Sequence, residues 1–458
     1  MLGKVKSIYF IGIGGIGMSG MAELLINLGY IISGSDLESS DRTNHLSNIG
    51  VDIKIGHFEK NIKDVDLVVY SSAVKTDNCE IVEAKRQNIP VIKRAEMLGE
   101  LLKVKKYSIA VSGTHGKTTT TSMLGAILDE VGLNPTIVVG GIVKGIKSNS
   151  LLGDGDIIIV EADEYDRTLL SLNPSMSVVT NIDYEHIDIY PDLEDLKDTF
   201  VDFINSTPFY GMNVIYYDDD NIRSIVSRIK RPYLTYGKSS DCDIRYSNPK
   251  FDKNSSRFNL FVYGKDYGQF ELSVPGEHNI LNALGAIGLA LELDISINDI
   301  KSNISKYSGV ERRFEIKHKT KNNITIVDDY AHHPSEIDAT ILAAKSGWNI
   351  NNLIIIFQPH LYSRTKNFYE EFSKSLSAAD IVILTDIYPA REKKIEGVNS
   401  EMILDNLNAV DSFVYSKEDI PRKLIDIVDD NDMIIVMGAG DIKSITSDIY
   451  NQIEGCNV

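Results

Sequence analysis

At 458 residues the chain has the length of about three domains, and its 43% hydrophobic and 24% charged composition is that of an ordinary globular protein. Sixty-five acidic against 47 basic side chains give a net charge of −18, which argues against a nucleic-acid groove or an anionic membrane surface as partner, since both need a basic face. Cys79, Cys242 and Cys456 are scattered, odd in number and form no C-x-x-C, the usage of a reduced compartment, so a cytoplasmic location is expected.

The first predicted unit spans residues 1–104. Ile8 to Ile32 is apolar enough to suggest a signal or membrane segment, but six glycines and Glu23 interrupt it, so it reads as strand, turn and helix. Strands are predicted at Ser7–Ile13, Ile31–Ser33, Leu67–Ser71 and Val91–Ile92. Gly12-Ile13-Gly14-Gly15-Ile16-Gly17 satisfies G-x-G-x-x-G between a strand and a helix, and Asp36 follows where a dinucleotide enzyme places its ribose-binding acid. On this window alone an NAD-dependent dehydrogenase is the default. What the fingerprint itself promises is a diphosphate at a helix N-terminus, whatever nucleoside carries it. The charged stretch Lys103-Val104-Lys105-Lys106 is a plausible linker.

The second unit, residues 105–310, opens on Ser108-Ile109-Ala110-Val111-Ser112-Gly113-Thr114-His115-Gly116-Lys117-Thr118-Thr119, a strand, a small-residue loop and a helix start. Small residues let backbone N–H groups close around a polyphosphate, and the helix N-terminus adds positive partial charge. Lys117 is placed to reach the β/γ oxygens of ATP and the Thr118 hydroxyl to sit on Mg²⁺. The motif is shorter than G-x-x-x-x-G-K-[ST], because Val111 stands at the first glycine position. Predicted strands follow at Asp156–Glu161, Ser177–Ile182 and Asn213–Tyr217. Glu161 ends its strand beside the loop, a position suited to Mg²⁺, and His186, in Thr180-Asn181-Ile182-Asp183-Tyr184-Glu185-His186, shares that strand edge and suits a metal or phosphate. Short alternating strands between Asp241 and Pro275, turning at Tyr263-Gly264-Lys265-Asp266-Tyr267-Gly268, predict a β-rich insert; Glu277 to Leu293 reads as a helix.

The third unit, residues 311–458, repeats the doubly wound pattern, with strands at Ile324–Asp328, Leu353–Phe357, Ile381–Thr385, Phe413–Tyr415 and Met433–Met437. Asp328-Asp329-Tyr330-Ala331-His332-His333-Pro334 and Phe357-Gln358-Pro359-His360-Leu361-Tyr362-Ser363-Arg364-Thr365 each follow a strand and precede a helix, and Arg312 and Arg313 lie at the predicted junction. Plainer roles compete: Thr365 as an N-cap, His333 as the residue before a proline, the arginines as an interdomain salt bridge. The expected fold class is therefore α/β in three domains. They are an N-terminal Rossmann-like domain, a central P-loop ATPase-type domain with a β-rich insert, and a C-terminal Rossmann-like domain. Two phosphate loops point to a ligase or transferase joining a nucleotide-linked substrate to an ATP-driven step.

The ordered set of the Gly12–Gly17 loop, GTHGKTTT, EADE, NID–EH, RRFE, DDYAHHP, FQPHLYSRT and YPARE resembles the Mur ligase family over essentially the whole chain. The resemblance implies ATP-driven ligation of L-alanine to the lactyl carboxylate of UDP-N-acetylmuramate in peptidoglycan synthesis, by a monomer or homodimer that needs ATP and Mg²⁺. It implies that Gly12, Gly14, Gly15 and Gly17, with Asp36 and Ser72, hold the UDP-sugar rather than NAD. Gly113, Thr114, His115, Gly116, Lys117, Thr118 and Thr119 would hold ATP, with Thr118 and Glu161 on one Mg²⁺ and His186 on a second. Asn279 and Asn282 would lie near the adenine, while Arg313, Asp329, Tyr330, His332 and Arg364 would close over ATP and the amino acid, with His332 the candidate base. Leu361 departs from relatives that carry Arg there. The rivals are a murein-recycling ligase that adds a whole peptide, and the dehydrogenase, which leaves the second phosphate loop unexplained.

Overall fold

The computed structural model describes residues 2–144, 148–185, 189–390, 392–408 and 411–455. Three sheets carry the described residues, and the strands Tyr107–Ser112, Ile157–Glu161, Met176–Val179, Thr325–Asp329 and Leu353–Phe357 are buried along nearly their whole length. The first sheet holds β1 (Ser7–Ile11), β2 (Ile31–Asp36), β3 (Asp52–Ile55), β4 (Leu67–Tyr70) and β5 (Val91–Lys93), all parallel in the order β3-β2-β1-β4-β5. The order reverses beside β1, which is where a doubly wound sheet opens its ligand crevice. Alternate residues of β1 serve opposite layers. Ile8 and Phe10 join the core that holds the helix Ile16–Asn27, and Tyr9 and Ile11 join Ile81 and Ala84 on the other face.

The second sheet holds β6 (Tyr107–Ser112), β7 (Thr136–Val143), β8 (Ser148–Leu151), β9 (Ile157–Glu161), β10 (Met176–Val179), β11 (Met212–Tyr216), β12 (Tyr233–Gly237), β13 (Ile244–Asp252), β14 (Ser255–Val262) and β15 (Lys265–Leu272). Its order is β15-β14-β13-β12-β11-β10-β6-β9-β7-β8. β6 lies between β9 and β10, with Val111 level with Glu161 and Ser112 level with Val179, so three motif-bearing loops leave the sheet side by side. The apolar core is continuous from Ile8 in β1 through Val160 in β9 to Ile225.

The third sheet holds β16 (Glu315–Lys319), β17 (Thr325–Asp329), β18 (Leu353–Phe357), β19 (Ile381–Leu384), β20 (Asp411–Val414) and β21 (Met433–Met437), in the order β16-β17-β21-β18-β19-β20. Only β16 runs antiparallel to its neighbour. Val327, Ile355 and Ile435 fill one face; Ile326, Ile354, Ile356 and Ile434 fill the other. That double burial explains why β18 and β21 read as unbroken apolar runs and fall where the sequence placed them. By packing, the chain forms two compact units, one of Met1–Asn248, Phe258–Glu271 and Asn279–Gly309, the other of Pro249–Arg257, Leu272–His278 and Val310–Val458.

Several expectations need correction. β3, β7, β8, β12 and β16 were not predicted. β3, β8 and β16 are edge strands, and β3 and β16 are mixed in burial and lack the apolar signal that marks a central strand. β7 and β12 lie inside their sheet but carry Gly140 and Gly141, or two tyrosines and a glycine, in place of an unbroken aliphatic run. The strand expected at Phe413–Tyr415 begins two residues earlier, and the one expected at Ser177–Ile182 ends at Val179, where the chain turns to serve the phosphate loop. The β-rich insert exists, but its turn is only Tyr263-Gly264, and Lys265 onward is already strand. The apolar N-terminal stretch is β1, a loop and a 12-residue helix; among the described residues no helix is long and apolar enough to cross a membrane.

Candidate active site

The phosphate loop is built by fit as much as by sequence. A Cβ on Gly113, whose φ is +132°, would stand 2.0 Å from Thr180 Oγ1, and one on Gly116, at φ +81°, would stand 2.3 Å from Asn282 Oδ1. Both positions therefore require glycine. The residues leaving β10 staple the loop. Asn181 Oδ1 accepts from the His115 N–H at 2.8 Å, its Nδ2 donates to the His115 carbonyl at 3.1 Å, and its own carbonyl accepts from the Thr114 N–H at 3.1 Å. The Thr114 hydroxyl accepts from the Asp183 N–H at 2.9 Å, and His115 Nε2 lies 3.2 Å from Asp183 Oδ2. Lys117, Thr118 and Thr119 then open the helix Lys117–Glu130, with Thr118 and Thr119 buried.

Lys117 Nζ donates to the carbonyls of Gly113 at 2.6 Å and Thr114 at 3.1 Å and to Glu164 Oε2 at 2.7 Å. Burial opposes its charge, yet the Glu164, Asp163 and Glu161 carboxylates outweigh that and hold its pKa above the ordinary lysine value. Glu164, buried to 1%, is a site residue that sequence reasoning passed over within EADE; its place three residues beyond a strand-ending carboxylate was the available signal.

Thr118 and Glu161 are brought together, the threonine hydroxyl donating to Glu161 Oε2 at 2.8 Å. The Gly140 N–H donates to the same oxygen at 2.7 Å, and a Cβ on Gly140 would come within 3.0 Å of both carboxylate oxygens. A hydroxyl and a carboxylate converging beside a polyphosphate loop are hard oxygen donors of the kind Mg²⁺ takes, so the residues present fit that ion. His186 lies outside the described residues. Asn279 and Asn282 are both buried in the helix Glu277–Glu292; Asn282 Oδ1 accepts from Thr120 Oγ1 at 3.3 Å, which sets this helix against the loop.

In the first sheet, the Gly12 and Ile13 N–H groups rest on the Ser35 carbonyl at 2.8 and 3.0 Å, and the Gly14 N–H donates to Asp36 Oδ2 at 2.8 Å. Asp36 Oδ1 accepts from Leu37 N–H at 2.8 Å, so this carboxylate also shapes the loop. Gly15 caps the helix Ile16–Asn27, and Gly17 lies in its first turn against the Arg94 guanidinium. Ser72 lines a cleft of about 440 Å³ together with Lys75, Lys93 and Arg94. Those three cations were not anticipated, because they are separated in sequence and converge only when β4 and β5 pair.

In the third sheet, Asp329 and Phe357 are level with Met437, so the loops after β17, β18 and β21 leave one sheet edge together. Asp329 accepts from the N–H groups of Phe314 and Ala331, each at 2.7 Å, and burial pushes its carboxyl up to about 6 despite Arg313 nearby. Arg313 pairs with Glu336 at 3.1 Å, and both Arg312 and Arg313 lie over the Tyr330 ring, at 5.0 and 5.4 Å. His332 Nδ1 is 2.9 Å from the Tyr330 carbonyl and 3.1 Å from Glu336 Oε2; its ring is 6.2 Å from that of His360. Arg364 lies half-buried in the first turn of the helix Tyr362–Leu376. Thr365 is inside that helix, bonding back to the Leu361 carbonyl at 2.9 Å, and the N-cap is Leu361 at φ +70°. His333 occupies the N-cap of Pro334–Gly347, with Nδ1 2.8 Å from Ser335 Oγ.

Three stretches match models of one family: "Mur ligase family, catalytic domain" over residues 7–106, "Mur ligase middle domain" over 111–290 and "Mur ligase, glutamate ligase domain" over 312–440. The chain belongs to the Mur ligase family. This Mur ligase is 48% identical over 447 residues to UDP-N-acetylmuramate–L-alanine ligase of Geobacter sulfurreducens, covering 96% of each chain. It is 49% identical over 447 residues to the protein of the same name from Pelobacter propionicus, covering 96% of this chain and 97% of that one. Among solved structures it is similar to UDP-N-acetylmuramate-alanine ligase MurC from Thermotoga maritima, at a TM-score of 0.83 and 29% identity over 99% of this chain and 100% of that one. A murein peptide ligase from Psychrobacter arcticus shares the fold at a TM-score of 0.72 and 22% identity, covering 99% of this chain and 100% of that one.

Proposed function

We propose that this Mur ligase joins L-alanine to the lactyl carboxylate of UDP-N-acetylmuramate at the expense of ATP, in the cytoplasmic synthesis of peptidoglycan precursors. The observation that carries the reading is the similarity of 48% across 96% of both chains to a protein of that name. The similarity supports the substrate set, and in this reading the UDP-sugar takes the Gly12–Gly17 loop, ATP the Gly113–Thr119 loop, and L-alanine the edge of the third sheet.

The chemistry has two steps. A carboxylate is a poor acyl donor, so its oxygen first attacks the γ-phosphorus of ATP and ADP leaves; the amine of L-alanine then attacks the acyl phosphate carbon, and inorganic phosphate departs from the tetrahedral adduct. Lys117 is the group that spreads charge on the transferring phosphoryl; its three hydrogen-bond partners already hold it at the loop mouth. Thr118 and Glu161 would hold Mg²⁺, which when bound neutralises phosphate charge. Alanine enters as an ammonium and must lose a proton before attack. The two groups facing His332 Nδ1, a carbonyl and a carboxylate, only accept, so Nδ1 carries a proton and Nε2 is the ring nitrogen that would take one from the amine.

The test is phosphate release from ATP and Mg²⁺ with UDP-N-acetylmuramate and either L-alanine, no acceptor, or a tripeptide. Release that needs both the nucleotide sugar and L-alanine supports the reading. Release with the tripeptide only would move the protein to a recycling ligase, and silence throughout would sink the ligase assignment.

A further inference from the structure

A fully buried carboxylate lies beside the substrate-side glycine loop, and the reaction just described gives it no part. Glu80, the second residue of the helix Cys79–Arg86, has no exposure. Its Oε1 accepts from Tyr9 Oη at 2.8 Å, Asn61 Nδ2 at 2.7 Å and the Phe58 N–H at 3.4 Å. Its Oε2 accepts from Ser35 Oγ at 2.6 Å and lies 2.9 Å from His57 Nδ1. The partners come from β1, β2 and the segment after β3, so one carboxylate ties together four stretches of chain. An isolated buried carboxylate is costly, and its charge is tolerated only where donors replace water. Tyr9 stays a donor, since burial, together with the Glu80 charge, raises its phenol pKa well above the ordinary value. The cage accepts an ionised carboxylate and little else.

Ser35 links this cage to the ligand side. Its hydroxyl donates to Glu80 and lies 3.0 Å from His57 Nδ1, while its carbonyl accepts the Gly12 and Ile13 N–H groups, and the next residue, Asp36, accepts the Gly14 N–H. Three successive loop amides therefore hang on the end of β2, and that end cannot shift without breaking a buried charge-assisted bond. We propose that Glu80 is a positioning residue for nucleotide-sugar binding, holding the end of β2 through Ser35 so that the Gly12–Gly17 loop is preformed. The proposal rests on the reading of that loop as the diphosphate site.

The experiment is calorimetric binding of UDP-N-acetylmuramate and, separately, of ATP to the full chain and to two variants. Glu80→Gln keeps the shape but turns an amide N–H₂ toward donors; Ser35→Ala keeps the carbonyl and deletes the hydroxyl that contacts Glu80 and His57. Each variant is expected to bind the nucleotide sugar about 10-fold more weakly, with ATP affinity and saturated kcat changed by less than about twofold. Unchanged nucleotide-sugar affinity in the folded variants would overturn the proposal, as would an equal loss of both ligands, the mark of a general staple. If Glu80→Gln does not fold, the same split in Ser35→Ala decides. Failure of the unsubstituted chain to bind the nucleotide sugar while binding ATP overturns the reading of the loop, and the proposal with it.

Discussion

Lys117 shows how much one side chain carries. Its ammonium is held by two loop carbonyls and the buried Glu164, so it is aimed before any nucleotide arrives. Replacing Lys117 by Ala should lower turnover on the order of 10²–10³-fold, about the effect of losing one preorganised charge-stabilising donor. Near-normal alanine-dependent phosphate release from a folded variant would remove Lys117 from the mechanism. Asp329 gives a pH-dependent prediction. Burial raises its carboxyl to about 6, so the native state holds a proton that the unfolded chain releases near pH ~4. The stability this contributes is complete below the unfolded value and is lost as pH rises through about 6. Relative to Asp329→Asn, the wild-type Tm should therefore fall between about pH 4 and about pH 6 and run parallel above about pH 7. Parallel curves across the whole range would show that Asp329 does not titrate there.

At the scale of elements, the site depends on strand ends leaving one sheet edge in register. β6, β9 and β10 are adjacent, so a loop glycine meets Thr180, the loop threonine meets Glu161, and Asn181 reaches the His115 backbone on both its donor and acceptor sides. Asn181 acts on ATP only through the loop shape. Asn181→Ala should weaken ATP binding about 10-fold by calorimetry, because it frees the His115 N–H and leaves the His115 carbonyl to Thr180 Oγ1 alone, while nucleotide-sugar affinity stays near wild type. A loss of both affinities would mean that the substitution unfolds more than the loop. The third sheet repeats the logic, with Asp329, His332 and His360 gathered by the pairing of β17, β21 and β18.

For the whole molecule, two glycine-rich loops, each opening a helix in the manner of a phosphate site, favour a ligase over a dehydrogenase. The acidic balance of −18 is compatible with anionic ligands because the cations are local: Lys117 in one loop, and Lys75, Lys93 and Arg94 around the cleft beside Ser72. Each true ligand should stabilise the native state by mass action, by about 2.7 kcal/mol at a free concentration 100 times its Kd. Calorimetric scans should therefore show Tm rising with UDP-N-acetylmuramate and with ATP, and unmoved by NAD. A rise with NAD and none with the UDP-sugar would return the dehydrogenase reading.

Much of this was legible without coordinates, for a physical reason: most strands that precede the motif loops, such as β6, β9, β17 and β18, are buried on both faces and the phosphate loops need small residues, and both demands leave local marks. β18 and β21 were placed to the residue, and the Lys117 helix to its first turn. Edge strands such as β3 and β16 leave no such mark, since their outer side faces solvent, and the interior strands β7 and β12, broken by glycine or built on tyrosine, left too weak a one. Local sequence fixes what a residue offers chemically: an ammonium at Lys117, oxygens at Thr118 and Glu161, a nitrogen base at His332. Only the tertiary structure decided what each side chain meets. It turned Asp36 toward the Gly14 amide, set Glu164 against Lys117, and closed five donors around Glu80, because these contacts join positions 22, 47 and up to 71 residues apart.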